Sequence, residues 1–227
     1  MRLPLGVCLI ALLVTPGSGL PGAEAPSAPV APVTIWQLEQ TAHIGGHETT
    51  VLGEPRVMTE PDGPAMHFNG ATDGVFVPVN PLEGQSQFTI EALIKPESGG
   101  PAEQRFLHIQ DASGSRMLLE IRLTDTGWAL DTFLRSEKTG SQCPLLDRTK
   151  LHPADRWTWV ALVYANGHMA HYIDGVKELS GDVAFSPMAA GRISLGVRQN
   201  KVYWFKGGIR EVRFHAEALT PAALQHP

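Results

Sequence analysis

Residues 156–178 read RWTWVALVYANGHMAHYIDGVKE. Asn166-Gly167 separates two apolar runs, and Asp174-Gly175 closes the second. Such pairs supply the positive φ angles of tight hairpin turns. The stretch therefore reads as two successive hairpins, with Asp174 doing turn chemistry. His168 and His171 would otherwise suggest a metal site. They stand three apart on one strand, and a period of two sends them to opposite faces, so they do not share an ion.

The same alternation extends in both directions. VFVPV (75–79), QFTIEALIKP (87–96), RFLHIQ (105–110), RMLLEIRLT (116–124) and WALDTFLR (128–135) precede the hairpins. RISLGV (192–197), VYWFKG (202–207) and GIREVRF (208–214) follow them. Phe88, Ile90, Ala92 and Ile94 share one face of their run. Met117, Leu119, Ile121 and Leu123 oppose Glu120, Arg122 and Thr124. Period two with frequent Gly, Pro, Asn and Asp predicts strands buried on one side. Helical periodicity is nearly absent outside EALTPAALQ (217–225), which predicts a closing helical turn. Without helices to cover a parallel sheet, the prediction is an all-β antiparallel sandwich.

Upstream, Arg2 and the apolar run LPLGVCLIALLV are followed by TPGSGLPG and Ala23-Glu24-Ala25. That order is the pattern of an export signal over residues 1–25, with Cys8 inside it. The run is too short to span a bilayer. Residues 26–33, PSAPVAPV, read as a stiff linker because proline fixes φ and lacks a donor. Residues 34–227 then form one domain of about 190 residues, enough for one sizeable core. Secretion or a periplasmic location follows, with no membrane span in the mature chain. Losing Arg2 and Glu24 leaves the net charge at −5. A mildly acidic domain without a Lys/Arg block argues against nucleic acid as a partner. Cys143 is the one cysteine of the mature chain, read as a half-buried inert thiol.

Four stretches carry a family resemblance. HFNGATDGVFVPV (67–79), QFTIEALIKPE (87–97), the hairpin stretch already quoted, and GRISLGVRQN with FKGGIREVRFHAEALTPAAL occur in order over residues 34–225. Together they resemble bacterial laminin-G-like domains of the concanavalin A-like lectin/glucanase superfamily. The resemblance implies a jelly-roll sandwich of two curved antiparallel sheets. It is weakly specific for function, since the fold hosts lectins, lyases, hydrolases and adhesion modules. Many members carry Phe-Asp-Gly where this chain has Phe68-Asn69-Gly70, and an aspartate where it has Arg210. Some relatives bind calcium near such rims. Here Asp73 and Glu211 remain as candidate ligands of a structural calcium, which wants six to eight oxygens.

Catalytic patterns are scarce. The Glu-x-Asp-x-Glu of the glucanase branch is absent, as are a nucleophile elbow, a phosphate loop and His-Glu-x-x-His. His43 and His47 flank IGG in a predicted surface loop. Glu120 and Asp131 lie on separate strands and face each other if those strands form a hairpin. Arg122 and Arg135 share their faces, which predicts either a solvated ion-pair ladder or a polar strip that holds a glycan. Arg105, His108 and Arg198 are candidates to join it. Two arginines would keep both carboxylates ionised and poor as general acids. A polyanion lyase would draw on His108, Arg122, Gln199 and Asn200, but no spacing singles them out. Tyr203 and Phe205 alternate with Trp204, which makes Trp204 the candidate ligand platform beside Arg198 and Asn200. Trp36, Trp157 and Trp159 read as core.

The sequence thus predicts an exported, non-catalytic recognition module for a polysaccharide or an extracellular protein. Alternatives are a polysaccharide lyase or glycoside hydrolase of the same fold, and a structural envelope or assembly module.

Overall fold

The computed structural model describes residues 33–227. The export leader with Cys8, and the linker as far as residue 32, lie outside the described residues. Seventeen strands are present among the described residues. The first seven are β1 (Val33–Gln37), β2 (His43–Ile44), β3 (His47–Glu48), β4 (Thr50–Leu52), β5 (Arg56–Glu60), β6 (Gly63–Asn69) and β7 (Gly74–Val77). Next come β8 (Phe88–Pro96), β9 (Glu103–Asp111), β10 (Arg116–Thr124), β11 (Gly127–Arg135) and β12 (Gln142–Leu146). The last are β13 (Thr158–Ala165), β14 (His168–Ile173), β15 (Val176–Asp182), β16 (Gly191–Leu195) and β17 (Lys206–His215). Among the described residues no helix is long and apolar enough to cross a membrane.

Two antiparallel sheets form a jelly-roll sandwich. One has eight strands in the order β15-β14-β13-β8-β17-β6-β5, with β1 also on β17. The other has seven in the order β12-β11-β10-β9-β16-β7-β4. Their inward faces share one core: Phe88, Ile90 and Ile94 meet Leu119, Ile121 and Ile193 there. Trp36 is fully buried and packs edge-on to Phe214 at 4.9 Å. Pro144 is tolerated in β12 because that strand is an edge, where a missing donor breaks no ladder. Beside it Cys143 is half-buried, and burial pushes its thiol up, away from the reactive thiolate.

The opening stretch forms β13, β14 and the start of β15, paired as two hairpins. Asn166, Gly167, Asp174 and Gly175 all take positive φ. Asp174 accepts the Trp159 backbone N–H at 2.9 Å and a bond from Arg156 at 3.0 Å. His168 is exposed and meets Asp182 at 2.7 Å. His171 points the other way, 1% exposed, against Thr132 of the opposite sheet at 3.0 Å. Exposed ion pairs contribute little, so His168→Ala is expected to change stability by less than about 0.5 kcal/mol in a urea titration. A larger loss would mean that the pair has a role beyond the surface.

Three expectations need correction. Trp157 and Trp159 are half-buried on the outer face of the eight-stranded sheet, not in the core. Val160, Leu162 and Tyr164 take the inward positions. Arg210 covers Trp157 at 4.4 Å, Arg213 covers Trp159 at 5.2 Å, and Trp157 Nε1 donates to Glu60 at 2.7 Å. Cationic side chains with apolar stems can roof an aromatic on a wet face. Next, residues 202–205 are not a strand: the chain loops there, and β17 begins at Lys206. Lastly, the predicted loop at His43 and His47 is a two-residue-strand hairpin, β2 on β3.

The closing turn is a short 3-10 turn, Pro221–Ala223. It belongs to a tail laid over the outer face of β8. Gln225 N–H donates to Glu91, and Thr89 Oγ1 bonds both Glu217 and Leu219. Glu91 is thereby buried with partners, as a carboxylate on a covered strand must be.

Candidate functional site

The outer face of the seven-stranded sheet carries charges in places where water is excluded. β10 and β11 pair so that Glu120 faces Asp131. β9 pairs with β10 on the other side, and its register slips by one residue between Leu119 and Glu120. This bulge sets Arg105, rather than Phe106, opposite Glu120. Alternation alone puts Arg105 and His108 on opposite faces. The extra residue brings both outward and lets Phe106 and Leu107 both enter the core.

Four side chains interlock as a result. Arg105 Nε lies 2.8 Å from Glu120 Oε1, off the line a hydrogen bond needs. Arg122 Nη2 lies 3.1 Å from Glu120 Oε2 and 2.5 Å from Asp131 Oδ2. Glu103 flanks both arginines at 3.3 and 3.7 Å. Glu120 is 2% exposed and Arg122 9%. Burial pushes the carboxyl groups of both Glu120 and Asp131 up, against the pull of Arg105 and Arg122. The sequence reading has two arginines hold these carboxyls ionised; burial adds a pull in the opposite direction that outweighs the ion pairs.

Above Glu120 the sheet opens into a cavity of about 230 Å³, walled by Leu118, Phe133, Pro144, Arg116 and Arg198. That volume suits one ring rather than a drug-sized ligand, for which pockets run roughly 300–1,000 Å³. Three larger hollows, of about 350, 360 and 390 Å³, lie near His67, Gln110 and Asp125. They lack the sealed charge cluster that sets the smaller one apart.

The loop after β16 closes one side. Gly196 has φ +75, and a Cβ there would stand 2.2 Å from the Phe68 ring, so only glycine lets the chain turn. The loop is tied by Gly196 N–H to Phe106 O, and by Arg105 N–H to Tyr203 O. Tyr203 itself has φ +60 and is 41% exposed, with the Arg105 guanidinium 3.8 Å from its ring centre. A bulky residue in that left-handed region is uncommon and is kept here by the loop's ties.

His108 is held beneath the loop, 1% exposed. The Gln199 backbone N–H donates to its Nδ1 at 3.1 Å, so the proton sits on Nε2, which has no acceptor. Burial, and then Arg198, Arg116, Arg105 and Arg192, push it down to about 3. It is a neutral, buried donor.

Of the predicted residues, Arg105, Glu120, Arg122, Asp131 and Arg198 line this cavity, and His108 lies beneath the adjoining loop. Arg135 shares the face but stands further along β11, opposite Arg116, where it binds Glu137 at 2.6 Å and Gln142 at 3.2 Å. Asn200 is exposed in the turn and lines no part of the cavity. Trp204 is half-buried and is not part of the cavity wall. Tyr203, also outside the wall, is the loop aromatic that meets a cavity residue, Arg105, because the segment is a loop and the strand alternation does not apply. Arg116 and Phe133 escaped notice, although each continues the outward alternation of its strand. Nothing local in the sequence marks Tyr203.

Asp73 and Glu211 are not brought together. Asp73 closes the 69–73 turn, accepting from Glu54 and Asn69 N–H at 2.9 and 3.2 Å. Asn69 caps the same turn through Ala71 and Thr72 N–H, both at 2.9 Å. Glu211 is bound by Gln37 at 2.6 Å and by Arg213, five positions along β17 from the residue level with Asn69. Among the described residues no three His, Cys, Asp or Glu gather as a metal set.

Residues 69–225 match the family described as Laminin_G_3, concanavalin A-like lectin/glucanases superfamily. The chain belongs to this family. Solved structures share the laminin-G-like fold. Domain 4 of AbnA, a GH43 extracellular arabinanase from Geobacillus stearothermophilus, solved with arabinotriose, is 23% identical. That match covers 85% of this chain and 96% of that domain, with a TM-score of 0.62. The ligand-binding domain of botulinum neurotoxin serotype D, solved with N-acetylneuraminic acid, is 15% identical, with a TM-score of 0.62. There 83% of this chain matches 48% of the other, so the laminin-G-like chain spans about half of that relative. Among curated proteins no sequence matches. At these identities the likeness is one of fold.

Proposed function

We propose that this protein is an exported, non-catalytic glycan-recognition module whose ligand sits on the outer face of the seven-stranded sheet. The observation that carries the proposal is the cavity at Glu120. Its floor is a locked set of buried ion pairs, and aromatic rings stand at its side and at the nearby loop, Phe133 and Tyr203. Sugar sites combine a fixed polar floor with exposed aromatic faces. Relatives of the same fold solved with arabinotriose and with N-acetylneuraminic acid support it.

Catalysis is disfavoured by the position of Arg122. A glycosidase sets two carboxyls across the scissile bond with room between them. Here one Arg122 nitrogen lies within 3.1 Å of both Glu120 and Asp131, in the space that the bond would need. The raised carboxyls keep a hydrolase or lyase as the second reading, and the release of shortened products would favour it.

The test is binding of the purified protein to a panel of polysaccharides, first with calcium and then with a chelator. Saturable binding to one glycan class is expected. Tyr203→Ala should weaken it about tenfold, the loss of one stacked ring. Trp204→Ala should leave it unchanged. Loss of binding on chelation would add a calcium site at Asp73 or Glu211. A folded protein that binds nothing in the panel would turn the proposal toward an extracellular protein partner or an envelope assembly.

A further inference from the structure

Charge in the cavity does not balance. Its lining holds four guanidinium groups, Arg105, Arg116, Arg122 and Arg198, against two carboxyls, Glu120 and Asp131. This occurs in a chain whose net charge is −5. Arg105 and Arg122 take these two carboxyls and also meet Glu103, at 3.3 and 3.7 Å, so the excess charge lies on Arg116 and Arg198. Arg116 has Glu137 at 3.5 Å, but Arg135 holds both oxygens of that glutamate at 2.6 and 3.2 Å. Arg198 has no carboxylate within ion-pair distance and no side-chain hydrogen bond among the described residues.

The donors tell the same story. Nε of Arg116, Nε of Arg198, and Nε and Nη1 of Arg122, all on residues that line the cavity, are sealed from water without an acceptor. Buried donors of this kind normally find partners, and several together in one hollow call for an acceptor from outside. Guanidinium groups suit planar or tetrahedral oxyanions, which they can grip through two parallel bonds. Leu118 and Phe133 beside them offer an apolar wall for the body of a ring.

We propose that the cavity takes an acidic sugar, its carboxylate or sulfate on Arg198 and Arg116 and its ring against Phe133 and Leu118. This rests on the glycan reading above. Arg105 and Arg122 are already neutralised and serve as the fixed floor. His108, beneath the neighbouring loop, stays neutral and adds no charge.

Two matched pairs of glycans test it with the full-length mature protein. One is polygalacturonate against its carboxyl-reduced, neutral form. The other is chondroitin sulfate against the same chain with both its sulfates and its carboxylates removed. Binding to an acidic member is expected, at least tenfold tighter than to its neutral partner and weakened by added salt. The first pair reports a carboxylate ligand. In the second, chondroitin stripped of sulfate alone reports whether sulfate is the group read. Arg198→Gln and Arg116→Gln should each cost about tenfold or more, with the melting temperature of Arg198→Gln unchanged because that residue has no ion pair to lose.

Equal binding of the acidic and neutral forms would overturn the acidic ligand and leave the glycan site standing. So would tight binding of a neutral glycan alone, or acidic binding indifferent to both substitutions. A folded protein that binds none of these five nor any neutral glycan of the panel would overturn both proposals together.

Discussion

Arg122→Ala is expected to cost the fold about 3–5 kcal/mol, the penalty of leaving buried charges without their partner. Among the described residues Arg122 is the one group that pairs with both Glu120 and Asp131, at 3.1 and 2.5 Å. Its loss leaves two carboxyls sealed on a sheet face, with Arg105 serving Glu120 alone. The midpoint of urea unfolding should fall sharply, with the slope unchanged. The triple variant Arg122→Met, Glu120→Gln, Asp131→Asn should recover most of the loss, because an emptied charge set is often neutral in energy. A single variant within about 1 kcal/mol of the parent would show that water reaches the carboxyls and that the floor is not locked.

Acid should weaken the protein well above the range in which its carboxylates titrate. Burial pushes His108 down to about 3 and His171 down to about 4. In the unfolded chain each takes its proton near pH 6.5. Between those values the unfolded state binds one more proton per histidine, so stability falls as pH falls. At pH 5 the loss is about 2 kcal/mol per histidine. Glu120 and Asp131 act in the opposite direction, since burial raises them and the folded state binds their protons more readily than the unfolded chain. Arg105 and Arg122 limit that opposition by pulling both back down. The urea midpoint should therefore drop between pH 7 and pH 5, and His108→Gln should remove about half of the drop. A midpoint that is flat or rises on acidification would mean that the carboxyls dominate.

Both histidines illustrate how far the sequence could be read. The Asn-Gly and Asp-Gly pairs place His168 and His171 on one strand, and alternation separates them. The structure confirms this, with His168 paired on the surface and His171 locked between sheets. Glu120 opposite Asp131 was equally legible, because a hairpin register follows from local turn geometry. Trp157 and Trp159 were not. Both faces of RWTWVALVY are apolar enough to be inward, and periodicity does not say which face meets the other sheet.

The sequence by itself determined a two-sheet antiparallel sandwich, its hairpins and the outward row of Glu120, Arg122 and Thr124. Those features depend on neighbours a few residues away. Only the tertiary structure decided that Arg105 and His108 share a face, that Tyr203 rather than Trp204 meets Arg105, and that Arg198 has no counterion among the described residues. The first depends on a one-residue bulge set by pairing between distant strands. The second depends on a loop held by Phe106 and Arg105. The third depends on which carboxylates other arginines have already taken. Each is a competition among groups far apart in the chain, and alternation along one strand holds no record of it.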